Sequence, residues 1–158
     1  MDYGRATRQD KFVENYIKML RSQNTLFSYF DKVQQLIKNK KLHLHRPLTD
    51  EETAAENKFN QDYNELKKLK LRNEDYAPVQ NSTLEEMPAR QQELIAKKGP
   101  YFAQAVKTIQ SMKAIPRELV GGKQHDSVDG AYRAITRHSE TMFPGFDMPQ
   151  LPGAGKAL

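Results

Sequence analysis

Cysteine and tryptophan are both absent from the 158 residues. The absence of cysteine excludes disulfide bonds, thiolate zinc sites and a cysteine nucleophile. Apolar side chains are also scarce, since Leu, Ile, Val and Phe together make up 33 residues and the mean hydropathy is −0.83. This composition lies just above the range of disordered chains. The shortage predicts a chain with a small core of its own, which completes its burial against other proteins.

Long hydrophobic runs are missing too. No segment approaches the roughly 20 apolar residues that a membrane-spanning helix needs. The first residues, Met1–Gly4, are not followed by the apolar segment of a secretory signal. We therefore expect neither a transmembrane segment nor a secretory signal.

The net charge of +5 is unevenly distributed. Residues 1–48 hold ten basic and four acidic side chains, a charge of +6, whereas residues 49–158 hold fifteen and sixteen, a charge of −1. The densest basic run is 38–46. One interpretation is a solvated helix end, where cations stabilise the negative end of the helix dipole. The other is a surface that binds an acidic protein, anionic lipid or RNA. The candidate contact residues there are Lys38, Lys40, Lys41 and Arg46.

Apolar spacing of three and four predicts helices along most of the chain. The first helical region runs from about residue 6 to residue 40 and has two apolar stripes. Between them lies the polar segment 21–25, which leaves open whether this is one helix or two. The stripes consist of Phe12, Val13, Tyr16, Ile17 and Leu20, and of Phe27, Phe30, Val33, Leu36 and Ile37.

Local signals predict where the later helices begin and end. Thr49 and Glu52 match a capping box, so a helix is expected from there to about residue 71. Pro88 suits the first turn of a helix that ends at Gly99. The next helix is expected from Pro100 to just before Pro116, with Phe102, Val106 and Ile109 among its most buried residues. A last helix, capped by Asp126 or Ser127, is expected to end at Met142.

The C-terminal segment 143–158 combines prolines and glycines with apolar side chains. Plain disorder would account for the prolines and glycines but not for the apolar residues. An extended strap that inserts these side chains into pockets on a neighbouring protein accounts for both. The candidate partner-binding residues of this strap are Phe143, Phe146, Met148 and Leu151.

No group of residues forms a recognisable catalytic, cofactor or metal site. His43 and His45 are two possible metal ligands without the further ligands that a site needs. His125 beside Asp126, and His138 near Glu140, lack the spacing of a known catalytic motif. The segment 153–156 has glycines and a lysine but not the strand, helix and Ser/Thr of a phosphate-binding loop. We predict no enzyme activity, cofactor or metal.

The sequence therefore predicts an all-α fold: amphipathic helices and helical hairpins over residues 1–142, with a basic front over 1–48, irregular loops and an extended tail over 143–158. The expected function is that of a non-catalytic accessory or structural subunit of a large multiprotein assembly. We expect a mitochondrial assembly first: a respiratory-chain complex, the ATP synthase or the mitoribosome. The alternatives are an RNA- or ribosome-binding protein that uses 38–46, and a structural protein that lines the ciliary axoneme, located in the cytoplasm or cilium.

Overall fold

The computed structural model describes the backbone of residues 3–152 and the side chains of residues 8–121 and 123–152. Within residues 3–152 the chain forms six helices and one 3-10 turn, and no β-strand, so the predicted all-α fold is confirmed. None of these helices is both long and apolar enough to cross a membrane. The elements are α1 (Tyr3–His43), α2 (Asp50–Leu69), a 3-10 turn (Asn73–Tyr76), α3 (Ala77–Gln80), α4 (Met87–Lys113), α5 (Arg117–Val120) and α6 (Gly122–Met142).

The first helix is continuous over 41 residues. Its buried face repeats every seven residues, and the polar side chain of Gln23 occupies one buried position at 3% exposure. The segment 21–25 therefore does not break the helix, because its inward residue continues the buried face. Spacings of three and four are the pattern of helix bundles. The buried residues of α1 are Gln9, Phe12, Tyr16, Met19, Gln23, Leu26, Phe30, Val33 and Ile37.

The four long helices run up, down, up and down. Gln34 of α1 hydrogen-bonds to Asn60 of α2 at 3.0 Å, and Gln23 lies beside the end of α2, so these helices are antiparallel. Helix α2 in turn packs antiparallel on α4, and α6 packs antiparallel on α1. The backbones of α1 and α6, and of α2 and α4, lie closest together.

Aromatic rings fill the space between α1 and α2. Phe30 lies 5.0 Å from Tyr63 and 5.7 Å from Phe59, measured between ring centroids, and Phe27 lies 5.5 Å from Tyr63. The Tyr63 hydroxyl donates to the Asp31 carboxylate at 2.7 Å. Large rings of this kind bury much area per residue, which compensates for the low count of apolar residues.

The core is more complete than the composition predicts. Apolar side chains from all four long helices, from the connecting segments and from the tail form one cluster, and Phe102, Val106 and Ile109 are buried in it as predicted. Among the described side chains, Leu42 is the one large apolar residue that is exposed, at 79%. The expectation that the core needs a neighbour for its burial is therefore wrong for this part of the chain.

The helix boundary predicted at Gly99 and Pro100 is also wrong, because α4 continues through both residues. A proline inside a helix removes one backbone hydrogen bond and costs about 3 kcal/mol. Directly after Pro100, Tyr101 and Phe102 are fully buried, and burial of an apolar side chain such as Phe102 contributes about 1.5–3 kcal/mol. Tertiary burial thus outweighs the local helix-breaking signal.

Other boundaries differ by smaller amounts. Helix α1 extends to His43 and so includes Leu42, and α6 begins at Gly122 rather than at Asp126. Gly121, with φ of 78°, forms the turn between α5 and α6, a conformation that favours glycine. The capping box of Thr49 and Glu52 is present as predicted.

Polar side chains attach the α2–α4 connection to α1. The amide of Gln23 pairs twice with the backbone of Leu71: Nε2 donates to the Leu71 carbonyl at 3.0 Å and Oε1 accepts from the Leu71 N–H at 2.8 Å. About four turns earlier along α1, Gln9 donates to the carbonyls of Val79 and Ser82. Both glutamines thus satisfy backbone groups of the connection at its buried positions Leu71, Val79 and Ser82.

A buried carboxylate completes this attachment. Asp75 accepts from Lys98 Nζ at 2.9 Å and from the Arg72 N–H at 2.8 Å, and it lies 3.5 Å from the Tyr16 hydroxyl. Burial alone would raise the pKa of the Asp75 carboxyl, but the hydrogen bonds from Lys98 and Arg72 outweigh it and hold that pKa below its usual value. The connection is therefore held by charge as well as by packing.

Replacing Gln23 by Ala should lower the free energy of unfolding by about 2 kcal/mol, because the buried N–H and C=O of Leu71 lose their partners. Urea unfolding followed by circular dichroism measures this difference. The neighbouring Asn24→Ala is the matched control: Asn24 is exposed, and its replacement should change stability by less than about 0.5 kcal/mol. Equal stability of the two variants would contradict the role assigned to Gln23.

Candidate interaction surface

The basic run lies at one end of the bundle, in the last turns of α1 and the connection to α2. We call residues 38–46 the basic tip. All four predicted contact residues are on the surface there, but the structure divides them into two pairs with different surroundings. Lys41 and Arg46 bind carboxylates of this chain. Lys38 and Lys40 make no such ion pair among the described residues.

Arg46 holds the connection between α1 and α2 against the start of α2. Its guanidinium contacts both carboxylate oxygens of Glu52, at 2.7 and 3.0 Å, and reaches Glu118 of α5 at 3.3 Å. Glu52 also accepts from the Thr49 N–H at 2.9 Å as part of the capping box. The hydrogen bonds from Arg46 and from Thr49 lower the pKa of Glu52 to about 2. The arginine thus stabilises the fold itself.

Lys41 makes a similar internal contact. Its Nζ lies 2.5 Å from the carboxylate of Glu56, one turn further along α2, and Glu56 is 8% exposed. Lys41 and Arg46 thus each neutralise a carboxylate on the buried face of α2, and a contact of these two residues with a partner stays a prediction. The local charge of the basic run does not reveal this pairing, because both carboxylates lie on another helix.

Lys38 and Lys40 remain free. Both are exposed, and within residues 3–152 neither makes an ion pair (the pairs of the described chain involve other cations). Leu42 protrudes one helical turn after Lys38. His43 and His45 are exposed beside it. The tip therefore presents two uncompensated lysines around the one exposed large apolar side chain of the described chain.

The tail packs on the chain's own helices as far as residue 152. Phe143 is 3% exposed, with its ring centroid 6.2 Å from that of Phe12 on α1. Phe146 packs against Phe102, with centroids 5.8 Å apart, and rests over Gly99 of α4. These contacts correct the expectation that pockets on a neighbour receive these side chains.

The same holds for the second half of the tail. Leu151 is 6% exposed and Met148 is partly buried against the core. The Tyr132 hydroxyl donates to the carbonyl of Pro149 at 2.7 Å, which fixes the extended segment along α6. Residues 153–158, which include the glycine–lysine segment considered above, lie outside the described residues.

The histidines do not assemble a reactive site within the described residues. His125 is buried, its Nε2 has no partner there, and burial together with the nearby charge of Arg117 lowers its pKa. Burial and Lys18 lower the pKa of His138. Among residues 3–152, no three His, Asp or Glu side chains lie close enough to hold a metal ion.

The sequence identified Glu52 only as part of the capping box and did not indicate that Glu52 and Glu56 are buried partners of the basic run. The signal that identifies them is periodicity: the buried positions of α2 recur at spacings of four and three. A register that counts polar residues would have placed both carboxylates on the inward face, opposite the basic run. The buried positions of α2 are Glu52, Glu56, Phe59, Asp62, Tyr63 and Leu66.

No protein-family model matches the chain, and neither curated proteins nor solved structures provide a significant match.

Replacing Arg46 by Gln should lower the urea midpoint of unfolding, because Glu52 loses its guanidinium partner. The effect depends on pH. Since the folded pKa of Glu52 is lowered from 4.5 to about 2, its stabilisation is fully present above pH 4.5 and is lost as the pH falls towards 2. The difference between parent and Arg46→Gln should therefore vanish at the acid end. Lys38→Gln, the control, should leave the midpoint unchanged, and a shift as large as that of Arg46→Gln would contradict the division of the tip.

Replacing Phe143 by Ala should lower the free energy of unfolding by about 3–5 kcal/mol, the usual cost of removing a buried phenylalanine ring. Chemical denaturation of the isolated chain measures the effect without any partner. Gln150→Ala, at an exposed position of the same tail, should change it by less than about 0.5 kcal/mol. An unchanged Phe143→Ala variant would mean that the tail does not pack on the chain in solution.

Proposed function

We propose that the chain is a non-catalytic accessory subunit of a larger protein assembly, and that the basic tip contacts an acidic surface of a neighbouring subunit. The observation that supports this most is the combination of the free Lys38 and Lys40 with the exposed Leu42. An apolar side chain surrounded by cations complements a small apolar depression with an acidic rim.

The charge that remains at the tip favours a protein partner over RNA. Four basic side chains lie in residues 38–46, and two of them are neutralised by Glu52 and Glu56. Affinity for nucleic acid grows with the number of phosphates neutralised, and strong binders neutralise roughly six to ten. Two lysines contribute about 1 kcal/mol each on an anionic membrane. A protein surface can contact Leu42 as well as the two lysines, so it would bury the apolar side chain that RNA or lipid headgroups would leave exposed.

The rest of the fold suits a bracing role. Helix α1 has 41 residues and spans about 60 Å at the usual ~1.5 Å rise per residue. Helix α6, the aromatic residues of α2 and the start of the tail pack along it. A rod that folds by itself and carries its contact residues at one end transmits position and load between neighbours without ordering on contact. Such contacts cost less conformational entropy than those of a segment that folds on binding.

The mitochondrial assemblies remain the first place where we would look for the neighbours, and the ciliary axoneme the second. The basic front and the many helices motivate both choices. Tagged chain purified from mitochondria and from cilia under matched conditions would compare the two compartments directly.

The test compares the tip with a matched control. Lys38→Gln/Lys40→Gln, and separately Leu42→Gln, should lower co-purification of the neighbouring subunits several-fold while leaving the urea midpoint unchanged. Lys32→Gln/Lys123→Gln removes the same charge from exposed positions elsewhere and should have no effect. Raising the salt concentration should weaken the parent complex, because salt screens the contacts of the two lysines. The loss caused by Leu42→Gln should be present at low salt as well, because the contact of Leu42 is apolar.

Three outcomes would count against the proposal. Equal recovery of the same subunits by all variants would exclude the tip as the contact. Loss of recovery after nuclease treatment would favour the RNA-binding alternative. Binding to anionic vesicles, with no protein recovered, would favour a membrane surface.

A further inference from the structure

A groove opens at the opposite end of the bundle from the basic tip. Its walls are the α1 segment 8–15, residues 84–91 just before and at the start of α4, and the end of α6 at 141–142, and its volume is ≈ 260 Å³. Residue 11 is about 45 Å from residue 41 along α1, at the ~1.5 Å rise per residue of a helix. The groove is therefore independent of the proposed contact surface.

The floor of this groove is apolar. Phe12, Met87 and Met142 form it, and they are 3%, 7% and 1% exposed, respectively, so only a small part of each reaches the open space. Leu84 adds a partly buried apolar side chain to the α4 wall. Methionines adapt their shape to the molecule beside them, which suits a flexible aliphatic ligand.

The rim on the α1 side is cationic. Arg8 and Lys11 are three residues apart on the helix, so their side chains lie on the same side. Both are exposed, and neither makes an ion pair within residues 3–152. No carboxylate lines the groove, although Asp10 and Glu14 belong to the same helix; Glu14 pairs with Lys18 at 3.1 Å instead. Two cations without an acidic partner lie at the edge of an apolar floor. They complement a ligand that has an anionic group on an apolar chain.

We propose that this groove binds a medium-chain fatty acid: a single acyl chain on the floor formed by Phe12, Met87 and Met142, with its carboxylate between Arg8 and Lys11. The volume lies below the roughly 300–1,000 Å³ of pockets that enclose drug-sized ligands, so one short chain fits better than a two-chain lipid. Arg8 supplies a planar fork for a carboxylate, and Lys11 adds a second charge. The polar side chains of Asn15 and Gln91 flank the opening and offer further hydrogen bonds.

Calorimetric titration of the full chain with decanoate, below the concentration at which decanoate forms micelles, tests this proposal. One saturable site per chain is expected. Affinity should rise about tenfold or more from octanoate to decanoate, since each buried methylene contributes about 0.8 kcal/mol. Decanol, which has the same chain and no charge, should bind at least tenfold more weakly than decanoate.

Variants locate the site. Arg8→Gln/Lys11→Gln should weaken decanoate binding at least tenfold and leave the weaker decanol binding unchanged, while Lys32→Gln/Lys123→Gln should bind decanoate like the parent. Amide NMR shifts caused by decanoate should be confined to residues 8–15, 84–91 and 141–142. Circular dichroism establishes that each variant is folded as the parent is.

The proposal would be overturned by an absence of saturable binding, by equal binding of decanol and decanoate, or by decanoate binding that does not depend on Arg8 and Lys11. Light scattering tests whether a second copy of the chain occupies the groove instead. A dimer of the parent that dissociates in Arg8→Gln/Lys11→Gln and is unaffected by decanoate would assign the groove to a second copy of the chain.

Discussion

The packing of this molecule depends on one repeating face of α1. Its buried positions follow spacings of three and four from Gln9 to Ile37 without interruption. The α2–α4 connection meets the first half of that face and the aromatic residues of α2 meet its second half, while α6 packs most extensively on α1. A helix that slipped by one residue would turn all of these positions away together, so the register of the whole bundle follows from one helix.

The repeat also explains how a polar chain builds a core. Gln9 and Gln23 occupy positions that an apolar residue would normally fill, and each pairs with backbone groups of the α2–α4 connection. An apolar residue would pack there but leave a carbonyl or N–H of the connection unsatisfied, at a cost of about 1–3 kcal/mol. These glutamines therefore stabilise the bundle by specifying where the connection lies. A count of composition alone would treat the same two residues as unfavourable for stability.

The sequence predicted the helices and most of the buried apolar residues because amphipathic periodicity is a local property. It left open whether α1 continues through residues 21–25, because the inward residue there is the polar Gln23, whose partner Leu71 lies 48 residues away. It placed a boundary at Pro100 because local signals there are strong, whereas the burial of Tyr101 and Phe102 that overrides them is tertiary. The direction in which the tail folds back was equally non-local: Phe143 and Phe146 were recognised as residues that need a partner surface, but the surface is α1 and α4 of the same chain.

Charge follows the same logic and bears on function. A run of cations in a sequence gives the formal charge of a surface, while recognition depends on the charge left after intramolecular pairing. At the basic tip, Glu52 and Glu56 neutralise Arg46 and Lys41 because they continue the inward face of α2 opposite them. What remains is narrower and more specific than a polybasic patch: two lysines beside Leu42. At the far end of α1, Arg8 and Lys11 keep their charge because the acids of that helix point elsewhere. The molecule thus uses Arg46 and Lys41 for its own structure, and the cations of the two proposed surfaces lie at the two ends of its longest helix.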